Sequence, residues 1–241
     1  MKMSFHLNNR KLWAVIPAAG SGSRFSKTEL KQYQVIGGKT ILEHTISRLA
    51  QLPLAGYVLA IGADDHFAAT LSFNQPEKAH FCQGGKERVH SVLNALHYLK
   101  AFAAPDDLIF VHDAARPCVT LECLENLVET ALVENCSAIL AIPVRDTLKR
   151  VHSSSQQIEH TVNREQLWQA QTPQISTFAT LTQAIEQAMY ADIVITDEAS
   201  ALEYMSEKVK VVAGRSDNLK ITYPDDLELA KLILAVQQKV K

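Results

Sequence analysis

The sequence predicts an α/β fold, a doubly wound and mostly parallel sheet with helices on both faces. Two patterns carry that expectation. Short, nearly continuous apolar runs, the mark of strands buried on both faces, alternate with longer segments whose apolar residues recur every three or four positions. Alternation of strand and helix also demands right-handed crossovers, which lay successive strands parallel.

In chain order, strands are expected at residues 12–16 (Leu-Trp-Ala-Val-Ile), 56–61, 108–111 and 138–142. Between them, Ile41, Leu42, Thr45, Ile46 and Leu49 share one helical stripe. So do Val89, Val92, Leu93, Leu96 and Leu99, and then Leu121, Leu124, Leu127, Val128, Ala131 and Leu132. Past Pro143 the rhythm changes. Residues 144–164 are polar, with a strand-like half on each side of Ser153, Ser154 and Ser155, and read as a β-hairpin or arm protruding from the sheet. A polar-tipped arm with no core of its own suits an embrace of a partner subunit, although a surface loop would look the same. Helices are expected at 178–189 and 197–205, and strands at 209–212 and 219–222. Pro224 opens a last helix with Asp225 and Asp226 in its first turn, where the helix dipole favours negative charge. Residues 1–11 read as a disordered lead-in and 12–241 as one domain, since no linker divides it.

Composition narrows the function classes. Of 241 residues 47% are hydrophobic and 21% charged, as in an ordinary globular protein with a sizeable core. A net charge of -2 gives no whole-molecule case for nucleic acid, so any anionic ligand must be held by a local cluster of cations. The four cysteines, Cys82, Cys118, Cys123 and Cys136, show no CxxC pair or metal-ligand rhythm and read as buried thiols in a reducing compartment. No apolar run approaches the ~20 residues needed to span a bilayer, and the first eleven residues lack the apolar stretch of a secretory signal. The expected location is cytoplasmic.

The informative segment follows the first strand: Pro17-Ala18-Ala19-Gly20-Ser21-Gly22-Ser23-Arg24-Phe25, with Lys31 seven residues after Arg24. Ligands of doubly wound sheets bind at the carboxyl ends of strands. Small residues there let backbone N–H groups approach a phosphate closely. A dinucleotide fingerprint would need a third glycine where Phe25 stands, and a P-loop would need a glycine at Tyr33, five residues before Gly38. Gly37-Gly38-Lys39-Thr40 reads instead as a turn into the helix beginning at Ile41. What remains distinctive is the pair of cations, Arg24 and Lys31, placed to meet negative charge that develops on phosphates during group transfer. The segment also fits a tight strand–helix turn bearing two surface cations.

At this point the sequence resembles a known family, the 2-C-methyl-D-erythritol 4-phosphate cytidylyltransferases. The resemblance runs from Leu12 to about Leu234 and rests on ordered motifs: PAAGSGSRF with LKQY, QGGKERVHSV, VHDAARP, PVRDTLK, TVNREQLWQAQTPQ, TDEASALE and GRSDNLKIT. It implies a Rossmann-like fold that dimerises through an extended arm, and transfer of CMP from CTP, with Mg²⁺, to the phosphate of a small polyol. It assigns Ala18, Ala19, Gly20 and Gly22 to the CTP backbone contacts, and Arg24 and Lys31 to the transition state. Gly85, Lys86, Arg88 and Ser91 fall where the family reads cytosine and ribose, while Asp113 and Ala114 resemble its metal-proximal and ribose-contacting pair. Thr147, Arg164, Thr172, Thr196 and Lys220 resemble the polyol-phosphate contacts. Of these, Arg164 and Lys220 would grip the attacking phosphate, and Thr147 and Arg164 would reach the neighbouring subunit's site.

The implied chemistry is direct in-line attack by an already anionic phosphate, which needs no general base. His112 is expected to be structural, because adjacent strand residues point to opposite faces. Two residues depart from the family pattern: Leu30 stands where proline is common, and Lys86 where an acidic or small residue is. The competing readings are a cytidylyltransferase for another polyol phosphate such as ribitol 5-phosphate, and a nucleotide-binding sensor without catalysis.

Overall fold

The first apolar run lies where its composition demands, inside a sheet with helices on both faces. The computed structural model describes residues 7, 9–20, 22, 24–26 and 30–239. Its elements are β1 (Leu12–Pro17), β2 (Val35–Ile36), β3 (Lys39–Thr40), α1 (Ile41–Leu49), β4 (Gly56–Ile61), β5 (Ala79–Gln83), α2 (Arg88–Leu99), β6 (Leu108–Val111) and α3 (Leu121–Glu134). They continue with β7 (Ser137–Pro143), β8 (Leu148–Val151), β9 (Ile158–Val162), β10 (Trp168–Thr177), α4 (Phe178–Tyr190), α5 (Glu198–Tyr204), β11 (Val209–Ala213) and α6 (Pro224–Lys239).

The central sheet has the order β11-β7-β10-β6-β1-β4-β5. Every pairing is parallel except those of β10, which runs antiparallel to both β6 and β7. The period of two along β1 divides the core. Leu12, Ala14 and Ile16 pack with Leu42 and Ile46 of α1 and Leu124 and Leu127 of α3, whereas Trp13 and Val15 pack with Val92 and Leu96 of α2 and Leu181 and Ile185 of α4. A third cluster seats α6, through Ala230 and Leu234, against Ile36, Ile41 and Ile221. No described helix is long and apolar enough to cross a membrane.

Local signals explain the helix starts. Thr40 and Glu43 form a reciprocal capping box at α1, so the Gly37–Thr40 segment is the turn into a helix expected from its sequence. Asp226 accepts from the backbone N–H groups of Thr222 at 2.7 Å and Tyr223 at 2.8 Å, which gives the acidic first turn of α6 its function. The 144–164 segment is indeed a hairpin, β8 antiparallel to β9, and forms a two-stranded sheet of its own.

Three expectations need correction or addition. Residues 219–222, expected as a strand, join no sheet among the described residues; Ile221 makes a single backbone bond to the Ala115 carbonyl at 2.9 Å. Ile221 is buried and its neighbours line the site, so the segment is held by side chains rather than by a ladder. The apolar pattern reveals neither β5 nor β10. The inner half of β10 is buried yet polar: Gln174 donates to Asp197 at 2.9 Å and accepts from Ala199 N–H at 2.8 Å, and Ser176 pairs with Ser137 at 2.8 Å. Finally, residues 1–6 and 8 of the expected lead-in lie outside the described residues, but its inner end is anchored. Leu7 packs on the core, and Lys11 N–H donates to buried Asp107 at 2.7 Å.

Candidate active site

The carboxyl ends of β1, β5 and β6 open into a cavity of about 350 Å³. From β1 the chain crosses to β4 and β5 on one side and then returns to β6 on the other, so the cavity sits at the topological switch point of the sheet. Ala18, Ala19, Gly20 and Gly22 line one wall, Gly85, Lys86, Arg88 and Ser91 a second, and Asp113 and Ala114 the floor between them. Ser21 and Ser23 of the glycine loop lie outside the described residues. Arg24, Lys31 and Lys220 also line it, with Gln32, Glu87 and Thr222 among the rest, so every residue expected to hold nucleotide is brought to one place.

Two glycines are required by geometry. Gly22 has φ +64°, and a Cβ there would stand 3.3 Å from Lys31 Cγ. A Cβ on Gly84 would stand 2.3 Å from the Ala19 Cβ, so only glycine lets the β5–α2 connection close against the β1 loop. Gly85 N–H then donates to Ser91 Oγ at 3.0 Å, which ties that connection to α2 and uses the serine hydroxyl internally.

The electrostatic centre is Asp113, whose side chain is 8% exposed. Its carboxylate meets Arg88 Nε at 3.0 Å, Lys220 Nζ at 2.9 Å and Arg116 Nε at 3.3 Å. Burial alone would raise its pKa, but Arg88, Lys220 and Arg116 outweigh burial and hold the carboxyl well below the usual carboxylate range. Arg88 is also forked onto buried Glu198, at 2.6 and 3.0 Å, and Arg116 donates to the Asn218 carbonyl at 2.7 Å. Arg88 therefore lines the nucleotide cavity with its guanidinium already committed to two carboxylates.

By contrast, Arg24, Lys31 and Lys86 make no ion pair among the described residues. Burial lowers the Lys31 pKa, and Lys220 and Arg24 lower it further against the opposing pull of Asp113. This cavity is poor in negative charge relative to its cations, as an anion site must be in a chain of net charge -2.

His112 is fully buried, and burial pushes its imidazole down to about 4. Its Nε2 lies 3.1 Å from the Arg116 carbonyl oxygen and so carries the proton. Nδ1 is then an acceptor and takes the Thr172 hydroxyl proton at 2.9 Å, while the same Thr172 oxygen accepts from Asp113 N–H at 3.0 Å. The imidazole is a neutral strut, as expected, although His112 lies just beyond β6 and owes that role to its burial and two hydrogen bonds, not to a strand position. Thr172, expected as a substrate contact, directs its hydroxyl proton into the protein.

A smaller hollow of about 200 Å³ adjoins the first and shares Arg88, Asp113 and Lys220 with it. Thr172 and Thr196 line it, as expected of the second substrate's residues. A register shift in β10 between Ala170 and Gln174 takes Gln171 and Thr172 out of the ladder and into this wall. Thr147 and Arg164 are exposed at the two ends of the arm and line neither hollow. Sequence reasoning missed Arg116, Glu198 and Gln32. Arg116 and Glu198 lie inside family motifs, but a buried charge is recognisable only once its partner is known.

A doubly wound sheet with a cation-lined glycine loop at its switch point, next to a second polar hollow, defines a nucleotide-dependent transferase. A family model described as 2-C-methyl-D-erythritol 4-phosphate cytidylyltransferase matches residues 12–236, and the chain belongs to that family. It is 69% identical over 227 residues to a protein of that name from Acinetobacter baumannii (strain SDF), covering 94% of this chain and 95% of the relative. A relative of the same name from Acinetobacter baylyi (strain ATCC 33305 / BD413 / ADP1) is 61% identical over 239 residues, 99% of this chain and 100% of that one. Among solved structures, a 4-diphosphocytidyl-2C-methyl-D-erythritol synthase superposes with a TM-score of 0.82 at 38% identity, covering 94% of this chain and 99% of the other.

The Asp113 cluster generates a stability prediction. Asp113→Asn leaves three cations facing one neutral amide, and removing one partner of a buried ion pair costs about 3–5 kcal/mol, or roughly 6–20 °C in melting temperature for a chain of this size. Because the folded pKa is depressed, the carboxylate's contribution is complete above the unfolded value of about 3.9 and is lost as pH falls below it. Thermal melts without nucleotide or divalent metal should show the wild-type advantage at pH 7 and its narrowing below about pH 4.

Proposed function

We propose that this chain transfers CMP from CTP to 2-C-methyl-D-erythritol 4-phosphate, releasing pyrophosphate and 4-diphosphocytidyl-2-C-methyl-D-erythritol. The observation that carries this reading is the pair of adjoining hollows that share Asp113 and Lys220. One has cations that make no ion pair among the described residues and so suit a triphosphate, and the other is polar and sized for a small phosphorylated polyol.

In this reading the backbone of Ala18, Ala19, Gly20 and Gly22 surrounds the triphosphate. Gly85, Lys86 and Ser91 border the cytosine, and Asp113 and Ala114 the ribose. The acceptor phosphate lies against Lys220 and near Thr196, and one of its oxygens attacks the α-phosphorus of CTP. A new P–O bond forms on one side, the bond to the bridging β-phosphate oxygen breaks on the other, and pyrophosphate departs with that electron pair. The nucleophile is an anion near neutral pH, its second pKa being about 6. It needs no base, and His112 is in no position to be one. Arg24 and Lys31 stabilise the charge on the pentacoordinate phosphorus and on the leaving group.

Mg²⁺ would enter with the nucleotide. Among the described residues no group of three or more acidic, histidine or cysteine side chains could hold a metal alone. Asp113 has about four acceptor sites, of which three are engaged, so it fits one bond to a cation held mainly by phosphate oxygens and water. Three cations around that carboxylate would repel a divalent ion arriving without phosphate. The ion's contribution is to neutralise phosphate charge.

The arm is proposed to pair two copies of the chain, bringing Thr147 and Arg164 to the neighbouring site. Val151, Ile158, Leu167 and Trp168, on and beside the arm, are 38–63% exposed. A lone two-stranded hairpin gains little stability by itself, so such surface favours a covering partner. The proposed compartment is the cytoplasm, where the four free thiols stay reduced.

Lys31→Ala and Arg24→Ala should each lower kcat by about 10²–10³, the loss typical of a preorganised oxyanion donor, while CTP affinity measured by calorimetry changes far less. Equal losses in both would make these cations binding residues only. With CTP and Mg²⁺, pyrophosphate release should be faster with 2-C-methyl-D-erythritol 4-phosphate than with ribitol 5-phosphate; the reverse order would sink the substrate assignment. Light scattering should give a dimer. Mixing the weakly active Arg164→Ala and Lys31→Ala variants should restore some of the activity, because one site of each mixed dimer then holds both native residues. No recovery after verified subunit exchange would confine Arg164 to its own subunit.

A further inference from the structure

Lys31 is carried by a single 3-10 turn, Lys31–Tyr33, and the two residues after it fasten that turn to two different strand ends. Gln32 is 3% exposed, and its amide donates to the Ala18 carbonyl oxygen at 2.8 Å, on the loop that lines the nucleotide cavity. Tyr33 reaches the other way, and its hydroxyl donates to Asp65 in the loop after β4. Asp65 is itself immobilised, because its second oxygen accepts from the backbone N–H groups of Phe67 at 3.1 Å and Ala68 at 3.2 Å. The Phe67 ring meets the Tyr33 ring edge-on, with centroids 4.9 Å apart. Burial, then Asp65, raises the phenol pKa well above its ordinary range, so the donor proton stays in place.

Neither Tyr33 nor Asp65 lines the nucleotide cavity. Both face a shallow hollow on the far side of Ala18 and Ala19, with Leu30 and Phe67. Anything they do for the reaction must pass through the turn they hold. Lysine reaches its target on a flexible four-carbon stem, so the aim of its ammonium depends on how firmly its backbone is fixed. Leu30 supplies no ring to restrain the approach to that turn.

We propose that Tyr33 and Asp65 are positioning residues for the transfer: with Gln32 they clamp the turn that aims Lys31, and so preorganise the cation before CTP binds. The proposal rests on the role given to Lys31 above. Misplacing a reacting group by ~1 Å can cost about 10²-fold in rate, so loosening one of two anchors should cost a fraction of that.

The test is a double-mutant cycle of Tyr33→Phe and Lys31→Ala, reading kcat, the KM for CTP and the melting temperature. In the native background Tyr33→Phe should lower kcat by about tenfold or more with less than about threefold change in KM, and should add almost nothing once Lys31 is alanine. A loss of equal size in both backgrounds, or an unchanged kcat, would overturn the positioning role. If Tyr33→Phe fails to fold, Asp65→Asn, which keeps the phenol and its ring packing, is read by the same cycle. Absence of turnover by the native enzyme would refute the assigned reaction itself, whereas an additive cycle in active enzyme would refute only the clamp.

Discussion

The site is organised by one buried carboxylate among cations. Asp113 lies just past the end of β6, the strand next to β1, at the point where the chain reverses its order across the sheet, and two side chains from remote segments and one from three residues on converge on it. Arg88 comes from the start of α2, Arg116 from the turn three residues after Asp113, and Lys220 from a segment that joins no sheet among the described residues. Without the carboxylate these charges would repel one another. With it, the 219–222 segment and the β5–α2 connection are drawn to the same floor. Glu198 acts in the same way a layer deeper by forking onto Arg88, which adds α5 to the assembly.

That arrangement resolves an apparent conflict between composition and chemistry. A slightly acidic chain must receive two anionic substrates at once, and it does so by sorting its cations into two kinds. Arg88 and Arg116 are committed to structure. Arg24, Lys31 and Lys86 face the cavity without a carboxylate, among the described residues, to quench them. Lys31, the half-buried one of the three, carries a desolvation penalty when the site is empty, visible in its lowered pKa. A bound polyphosphate reverses that penalty.

How far this could be read from sequence depended on the kind of signal. Apolar continuity located β1, β4, β6 and β7 and the turn after β1, because a strand buried on both faces leaves a short apolar run, too short for a helix, bounded by turn residues. It failed at β10, whose buried half is built from Gln171, Thr172, Gln174 and Ser176 and is satisfied by side-chain hydrogen bonds instead of apolar packing. It also misread 219–222, where alternation is real but serves a cavity wall. Motif likeness picked out Asp113, Lys220 and glycine-loop residues, which the structure gathers around one cavity. It did not show that the Thr172 hydroxyl is turned inward onto His112, since that depends on a tautomer fixed by the Arg116 carbonyl. The hold on Lys31 was equally hidden. Leu30 drew attention to the approach from the N-terminal side, whereas the restraint lies in the residues that follow.

The three partners of Asp113 are not equally bound to it, and the difference bears on how the two hollows work together. Arg88 has Glu198 and Arg116 has the Asn218 carbonyl as second partners, so neither can leave without abandoning a further buried bond. Lys220 has only Asp113 among the described residues, and its side chain is 35% exposed against 26% and 11% for the two arginines. It is also compact, with three donors free to rotate. Lys220 is therefore the cation that can exchange a carboxylate oxygen for a phosphate oxygen at least cost. Because it borders both hollows, its charge is available at the one position where attacking and receiving phosphates must come together against their mutual repulsion. In the proposed reaction the fixed pair of arginines would keep Asp113 ionised and in place during that exchange.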